Sequence, residues 1–207
     1  MKKLIIIALL ALPAVVSAQR FNGGALLGIC ASQVDGDTYA GFDKLGLQGG
    51  VFVNTKFTDA WGAQMEIKYN GKGARKRTAR DDIETYSLTL HYIDLPLMIN
   101  FTIQDKFIID AGLVPGYLFA KNGEENGYKF TDEEISGFKK FDLSWLLGLN
   151  YRITDNIIAS IRYSYSLFSI RDYENTDANY GIIAQILGYT NGDYNNFLTM
   201  GIYYQFD

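Results

Sequence analysis

The most regular hydrophobic pattern in the chain starts at Phe141. Phe141, Leu143, Trp145, Leu147, Leu149, Tyr151 and Ile153 share one parity, while Asp142, Ser144, Leu146, Gly148, Asn150 and Arg152 share the other, mostly polar or small one. A period of two sets these side chains on opposite faces of a β-strand. The next segment repeats it, with Ile157, Ala159, Ile161, Tyr163, Tyr165 and Leu167 opposing Ser160, Arg162, Ser164 and Ser166. So does the final one, Leu198, Met200, Ile202, Tyr204 and Phe206 against Thr199, Gly201, Tyr203 and Gln205. Earlier, Trp61, Ala63, Met65, Ile67 and Tyr69 oppose Gly62, Gln64, Glu66, Lys68 and Asn70. A strand from Phe107 to Phe119 carries Asp110, Gly112 and Gly116 on its polar face. In residues 86–101 the apolar parity switches: Tyr86, Leu88, Leu90 and Tyr92 are followed by Ile93, Leu95, Leu97, Ile99 and Phe101. A β-bulge near Tyr92-Ile93 is the expected way to keep a single apolar face. Pro96 and Pro115 point to further local bulges. Two glycine-rich segments, about residues 20–32 and 45–57, complete a set of eight strands.

The connections alternate in length. Short turns fall at residues 58–60, 104–106 and 154–156; long polar loops fall near 33–44, 76–84, 122–137 and 172–195. Eight antiparallel strands then place every short turn at one end and every long loop at the other. That is the layout of an up-and-down transmembrane barrel, with periplasmic turns and outer loops.

Periodicity leaves open which face is buried, and a secreted lipocalin-like barrel also has eight strands. Aromatic residues favour the membrane. Phe57, Trp61, Phe101 and Phe107 flank the short turns, and Tyr69, Tyr86, Phe119 and Phe141 flank the loops, as two interfacial belts would. The strands also exceed the ~9–11 residues a tilted crossing needs. The last strand closes on Phe206, although Asp207 follows it.

The N-terminus adds the compartment. Lys2 and Lys3 precede an apolar run from Leu4 to Val16, and Val16-Ser17-Ala18 supplies the small residues of a cleavage site. Residues 1–18 read as a signal peptide and residues 19–207 as one barrel domain. The run is too short for a membrane helix, which needs ~20 residues. Losing two of the 19 basic residues leaves an acidic mature chain, which argues against nucleic acid as a partner. Cys30 is the single cysteine, so no internal disulfide forms. Fifteen tyrosines and 21 glycines with only three prolines suit long strands.

Several stretches resemble the PorT-like outer-membrane β-barrel proteins of Bacteroidetes. They are Leu45-Gly46-Leu47-Gln48-Gly49-Gly50-Val51-Phe52, the run Glu66-Ile67-Lys68-Tyr69-Asn70-Gly71-Lys72-Gly73-Ala74, Tyr92-Ile93-Asp94-Leu95-Pro96-Leu97, and Asp110-Ala111-Gly112-Leu113-Val114-Pro115-Gly116-Tyr117. The similarity covers nearly the whole mature chain. It implies fold and location, and little about activity; the named member is linked to the type IX secretion system, a role that fold alone does not transfer.

Candidate chemistry is sparse. His91 is the only histidine. Outer-membrane lipid A deacylases use a Ser/His pair, but parity puts His91 on the lumen side, with Ser87 too distant to serve it. Glu66, Asp94, Asp110 and Asp142 share the inward face with Lys56, Lys68, Arg152 and Arg162. An ion path is one reading. A paired polar plug is the other, favoured because an eight-stranded lumen is just wide enough for side chains. Lys72, Arg75, Lys76, Arg77 and Arg80 make the second outer loop basic: a contact for lipopolysaccharide phosphates or a solvated charged loop. Asp132, Glu133, Glu134, Asp172, Glu174, Asp177 and Asp193 make two loops acidic without the spacing of a calcium motif. The apolar run 181–187 in the last loop could fold back on the rim or meet a partner protein.

The expectation is therefore a non-enzymatic outer-membrane barrel without cofactor or metal. Outer-membrane lipid and lipopolysaccharide surround it, and barrel-assembly machinery inserts it. Its role is structural or accessory in the envelope, with an envelope or secretion-complex protein as a conceivable partner. The alternatives are a lipid A enzyme, a narrow channel and a lipocalin-like binder.

Overall fold

A computed structural model of the chain describes residues 21–37, 39, 41–76, 85–131, 133, 135–172, 186 and 192–206. Residues 1–18, read above as a signal peptide, and the apolar run of the last loop lie outside the described residues, apart from Ile186. The strands are β1 (Phe21–Asp35), β2 (Lys44–Lys56), β3 (Trp61–Arg75), β4 (Tyr86–Asp94), β5 (Leu97–Ile103), β6 (Phe107–Glu125), β7 (Tyr128–Lys129), β8 (Phe141–Arg152), β9 (Ile157–Ser166) and β10 (Tyr194–Gln205). All pairings are antiparallel, and β1 bonds to β10 from Gly24↔Gln205 to Asp35↔Tyr194, which closes the sheet. β4 and β5 both pair with β3 and β6 and share one place in the ring, and β7 is a flap on β6; the ring therefore has 8 strands.

The expected apolar face lies outside. Leu27, Leu45, Leu47, Ile67, Ile109, Leu147, Ile161 and Ile202 are exposed, while Glu66 and Lys68 beside Ile67, Asp110 beside Ile109 and Arg162 beside Ile161 are buried. Aromatic pairs rim this band. Trp61–Phe101 (4.8 Å) and Phe107–Tyr151 (5.2 Å) lie by the short turns; Tyr69–Phe119 (6.3 Å) and Tyr117–Phe141 (5.3 Å) lie toward the loops. Tyr86, expected in the loop-side belt, instead packs inward against Phe130.

Two further expectations need correction. No bulge separates Tyr92 from Ile93. Strict alternation runs from Tyr86 to Ile99, and it is the apolar side that changes: Leu88, Leu90 and Tyr92 are buried inside, whereas Ile93, Leu97 and Ile99 are exposed outside. The irregularity belongs to β6, where Tyr92 pairs with Leu118 but His91 with Ala120, so Phe119 is the extra residue. Pro96 does interrupt the ladder, between β4 and β5, but without changing the phase. Its flanks are held by Leu95 N–H to Pro115 O (2.8 Å) and Glu66 N–H to Pro96 O (3.0 Å).

The second correction is length. β1 reaches Asp35 and β6 reaches Glu125, into the expected loops, and β3 runs on past Tyr69 and Asn70 to Arg75, taking in Lys72. Above the band the inside is apolar: Val34, Ala74, Leu88, Leu90, Tyr92 and Leu118 meet Ile135, Phe138 and Ile170 from the loops. Those residues form a lid over the lumen.

Candidate functional site

Beneath the lid the lumen is filled by charged side chains in two tiers. The lower is built around Arg162 of β9. Its Nη1 lies 2.6 Å from Glu66 Oε1 of β3 and its Nη2 lies 2.7 Å from Asp110 Oδ2 of β6. Arg162 also stacks on the Tyr203 ring at 4.7 Å and donates to its hydroxyl. Its stem crosses Gly148 of β8, where a Cβ would sit 2.6 Å from Arg162 Cγ. Lys68 completes the tier, 3.5 Å from Glu66 Oε2 and donating to Gln48 Oε1 at 3.0 Å.

The upper tier is centred on Lys72 of β3, which is wholly buried. Its Nζ lies 3.1 Å from Asp94 Oδ1 and 3.6 Å from Asp142 Oδ2, between the rings of Tyr92 (4.4 Å) and Phe197 (4.3 Å). The carboxylates are held in turn. Asn70 Nδ2 donates to Asp94 (3.0 Å); Asn195 Nδ2, Ser144 Oγ and Ser166 Oγ donate to Asp142 (3.0, 3.1 and 2.8 Å). Charges taken out of water demand such pairing. Below both tiers the lumen opens toward the short turns into a cavity of roughly 390 Å³, lined by Asn54, Gln64, Asn150, Arg152 and Gln205 among others.

An apolar outside, aromatic belts and a charge-paired inside are the physical requirements of a barrel in lipid. The profile of the outer membrane protein beta-barrel domain matches residues 17–172. The chain belongs to this family.

Solved structures of outer-membrane barrels share the fold. The attachment invasion locus protein Ail of Yersinia pestis, solved with the heparin analogue sucrose octasulfate, is 14% identical with a TM-score of 0.52 over 90% of this chain and 99% of that one. Neisserial surface protein A is 12% identical, with a TM-score of 0.48 over 92% and 100% of the two chains. No curated protein sequence matches the chain. The protein is thus an all-β transmembrane barrel of the outer membrane.

In this outer-membrane barrel, Glu66, Lys68, Asp94, Asp110, Asp142 and Arg162 are all buried in the lumen, in the two tiers of ion pairs. Arg152 does not join them: it lies at the mouth of the lower cavity and donates to Asp155 O at 3.2 Å. Lys72 leaves the basic loop for the plug, as above. Arg75 is exposed at the outer end of β3 and lines a groove with Lys76 and Lys129; Arg77 and Arg80 lie outside the described residues. His91 points outward rather than into the lumen. Tyr69 Oη lies 2.8 Å from its Nδ1, and Asn122 Oδ1 lies 3.3 Å from its Nε2. In the acidic loops Lys139 pairs with Asp172 (2.7 Å), whose carboxyl it holds below the usual range, and Arg171 pairs with Asp193 (2.8 Å). Asp132, Glu134, Glu174 and Asp177 lie outside the described residues.

Sequence reasoning missed Tyr203, Asn195 and Phe197. They are common residue types at ordinary strand positions and carry no motif. Lys72 carried a usable signal, because it shares the inward parity of Glu66, Lys68 and Asn70.

Proposed function

We propose that this barrel is a structural or accessory protein of the cell envelope, without enzymatic activity, that works through its outer rim and loops. The observation that carries the reading is the filled lumen: Arg162 and Lys72 each bind two carboxylates from other strands, and the apolar lid covers them. A lumen of that kind supports neither ion flow nor an enclosed substrate. An accessory role in envelope assembly or secretion rests on the outer-membrane barrel family alone, with barrel-assembly machinery inserting the mature residues 19–207 after cleavage of 1–18. At the rim, Arg75 and Lys76, with Arg77 and Arg80 of the adjoining loop, are the contacts for lipopolysaccharide phosphates. The test is conductance of the purified barrel in planar bilayers. No steady current is expected, and a steady current abolished by closing the lumen further would overturn the reading.

One arrangement favours a second reading. Tyr69, His91 and Asn122 form a hydroxyl–imidazole–amide chain on the outer wall, and a hydroxyl bonded to an oriented imidazole is general-base geometry. A lipid A hydrolase would lose its activity in His91→Ala. The expected outcome is that wild-type protein and His91→Ala leave lipid A equally intact, because the same contacts serve to seat an interfacial aromatic girdle.

A further inference from the structure

Above the loop-side aromatic belt the outer wall carries a groove of roughly 530 Å³, within the ~300–1,000 Å³ of small-molecule sites. Cross-strand register builds it in rows. Arg75, Ser87, Glu124 and Lys129 are successive partners across β3, β4, β6 and β7, and below them Gly73, Thr89 and Asn122 form a second row. Partners opposite one another in an antiparallel ladder share a face, and Ser87 and Thr89 face outward. The lining offers hydroxyls, from Thr85, Ser87 and Thr89, and the amide of Asn122. Its cations, Arg75, Lys76 and Lys129, outnumber its one carboxylate, Glu124.

The chain from Tyr69 through His91 sets the amide. Tyr69 Oη–H donates to His91 Nδ1 at 2.8 Å, which leaves the ring proton on Nε2 to donate to Asn122 Oδ1 at 3.3 Å. With Oδ1 taken, Asn122 presents its Nδ2 hydrogens to the groove it lines. An oriented amide donor beside hydroxyls, which both donate and accept, matches the hydroxyls of a sugar.

Height says what covers the groove. The upper boundary of the hydrocarbon lies near His91, between the outward Thr89 and Ile93. At ~3.3 Å per residue and a tilt of ~40°, the Thr89–Asn122 row stands about 5 Å above that boundary and the Ser87–Glu124 row about 10 Å. A headgroup layer is roughly 5–8 Å deep on each side. The two rows therefore run from the headgroup layer to just beyond it, the level of sugars carried on an outer-leaflet lipid. We propose, building on the lipopolysaccharide contact above, that the groove holds the inner saccharide of this glycolipid, the sugars attached directly to lipid A. Asn122 Nδ2–H, Ser87 and Thr89 meet ring hydroxyls, and Arg75 and Lys129 meet a negatively charged substituent.

The test compares lipopolysaccharide carrying its inner core with lipid A alone, phosphates intact, in competition for the purified full-length barrel in detergent. The core-bearing form is expected to bind about tenfold more tightly. Asn122→Leu and, independently, Thr89→Val should each remove most of that preference and leave lipid A binding and heat-modifiable gel mobility unchanged. His91→Phe keeps an aromatic ring in the girdle but releases the Asn122 amide, so it should lower the preference in the same way. Equal binding of the two ligands by the wild type overturns the saccharide site alone and leaves the phosphate contact standing. Binding of neither ligand overturns both. A full preference retained in Asn122→Leu also overturns the saccharide site.

Discussion

Tyr92 and Ile93 are consecutive in β4, yet Tyr92 is wholly buried inside the barrel and Ile93 is 42% exposed on its outside. The pair marks the level at which the apolar side of the strand changes over. Above it Ser87, Thr89 and His91 face out and Leu88 and Leu90 face in; below it Ile93, Leu97 and Ile99 face out and Asp94 faces in. Backbone alternation is unchanged, so what changes is the medium outside the strand, from water and headgroups to hydrocarbon. His91, against Tyr69 and Phe119, sits at the boundary. Leu97→Arg, midway between Ile93 and the Phe101 belt, should therefore cost about 2–4 kcal/mol, the range for a cation deep in the lipid face. Thr89→Arg should cost within about 0.5 kcal/mol. Equilibrium urea titrations of folding into lipid vesicles measure both, and equal costs would place the boundary elsewhere.

Arg162 ties three strands together, since Glu66 and Asp110 come from β3 and β6 and Arg162 from β9. Arg162→Met leaves the buried Asp110 without a cation and Glu66 with Lys68 alone at 3.5 Å, and such a loss costs about 3–5 kcal/mol. Gly148→Ala reaches the same contact from behind, because the added methyl collides with the Arg162 stem. Overpacking of this kind costs about 1–3 kcal/mol. Guanidinium unfolding of both variants should rank them in that order.

What could be read from the chain follows from where contrast exists. In β8 and β9 hydrocarbon lies outside and polar side chains inside, so parity alone orients Leu147, Asp142 and Arg162. In residues 86–92 the contrast inverts, and a pattern reader expecting one apolar face invokes a bulge in β4, whereas the irregularity at that height lies in β6 at Phe119. The outer end of β3 was hidden for a related reason: Gly71 and Gly73 are buried but have no side chain to mark a face, so the stretch from Asn70 to Ala74 shows no alternation. The plug's membership was legible, but its pairings were not, because Arg162 and Glu66 lie 96 residues apart. Lys72 was drawn to the loop by its basic neighbours, although its parity with Lys68 and Asn70 places it inside.

Lys72 and Arg75 are three residues apart and should behave oppositely. Lys72 is sealed between Asp94 and Asp142, whereas Arg75 is exposed beside the outer groove. Lys72→Ala should cost about 3–5 kcal/mol of stability and leave lipopolysaccharide retention per folded molecule unchanged. Arg75→Ala combined with Lys76→Ala should shift stability by only about 0.5 kcal/mol and lower retention of lipopolysaccharide through purification. Unaltered retention in the double variant would remove the rim from the functional reading.

The outer end carries a pH dependence centred on Asp37. Its carboxyl is pushed up to about 8, chiefly by burial; Asp193 and Asp35 add to the rise, while the Tyr39 N–H (2.8 Å from Oδ1) and Arg171 oppose it. Tyr86 also lies within its field. In the unfolded chain an aspartate titrates near ~3.9. Between those values the folded loop holds a proton that the open loop releases, so opening becomes easier as pH rises from about 4 to about 8, by up to about 1.4 kcal/mol per pH unit. Above about 8 both forms are ionised and the dependence ends. Hydrogen exchange at the amides of Tyr39 and Gly41, which bond to Asp37 and to Gln33, reads this opening directly once the intrinsic rate is corrected for pH. Asp37→Asn should flatten the profile and keep the low-pH protection throughout. A wild-type profile already flat across that window would show that Asp37 is ionised in the folded state, with Arg171 outweighing its burial.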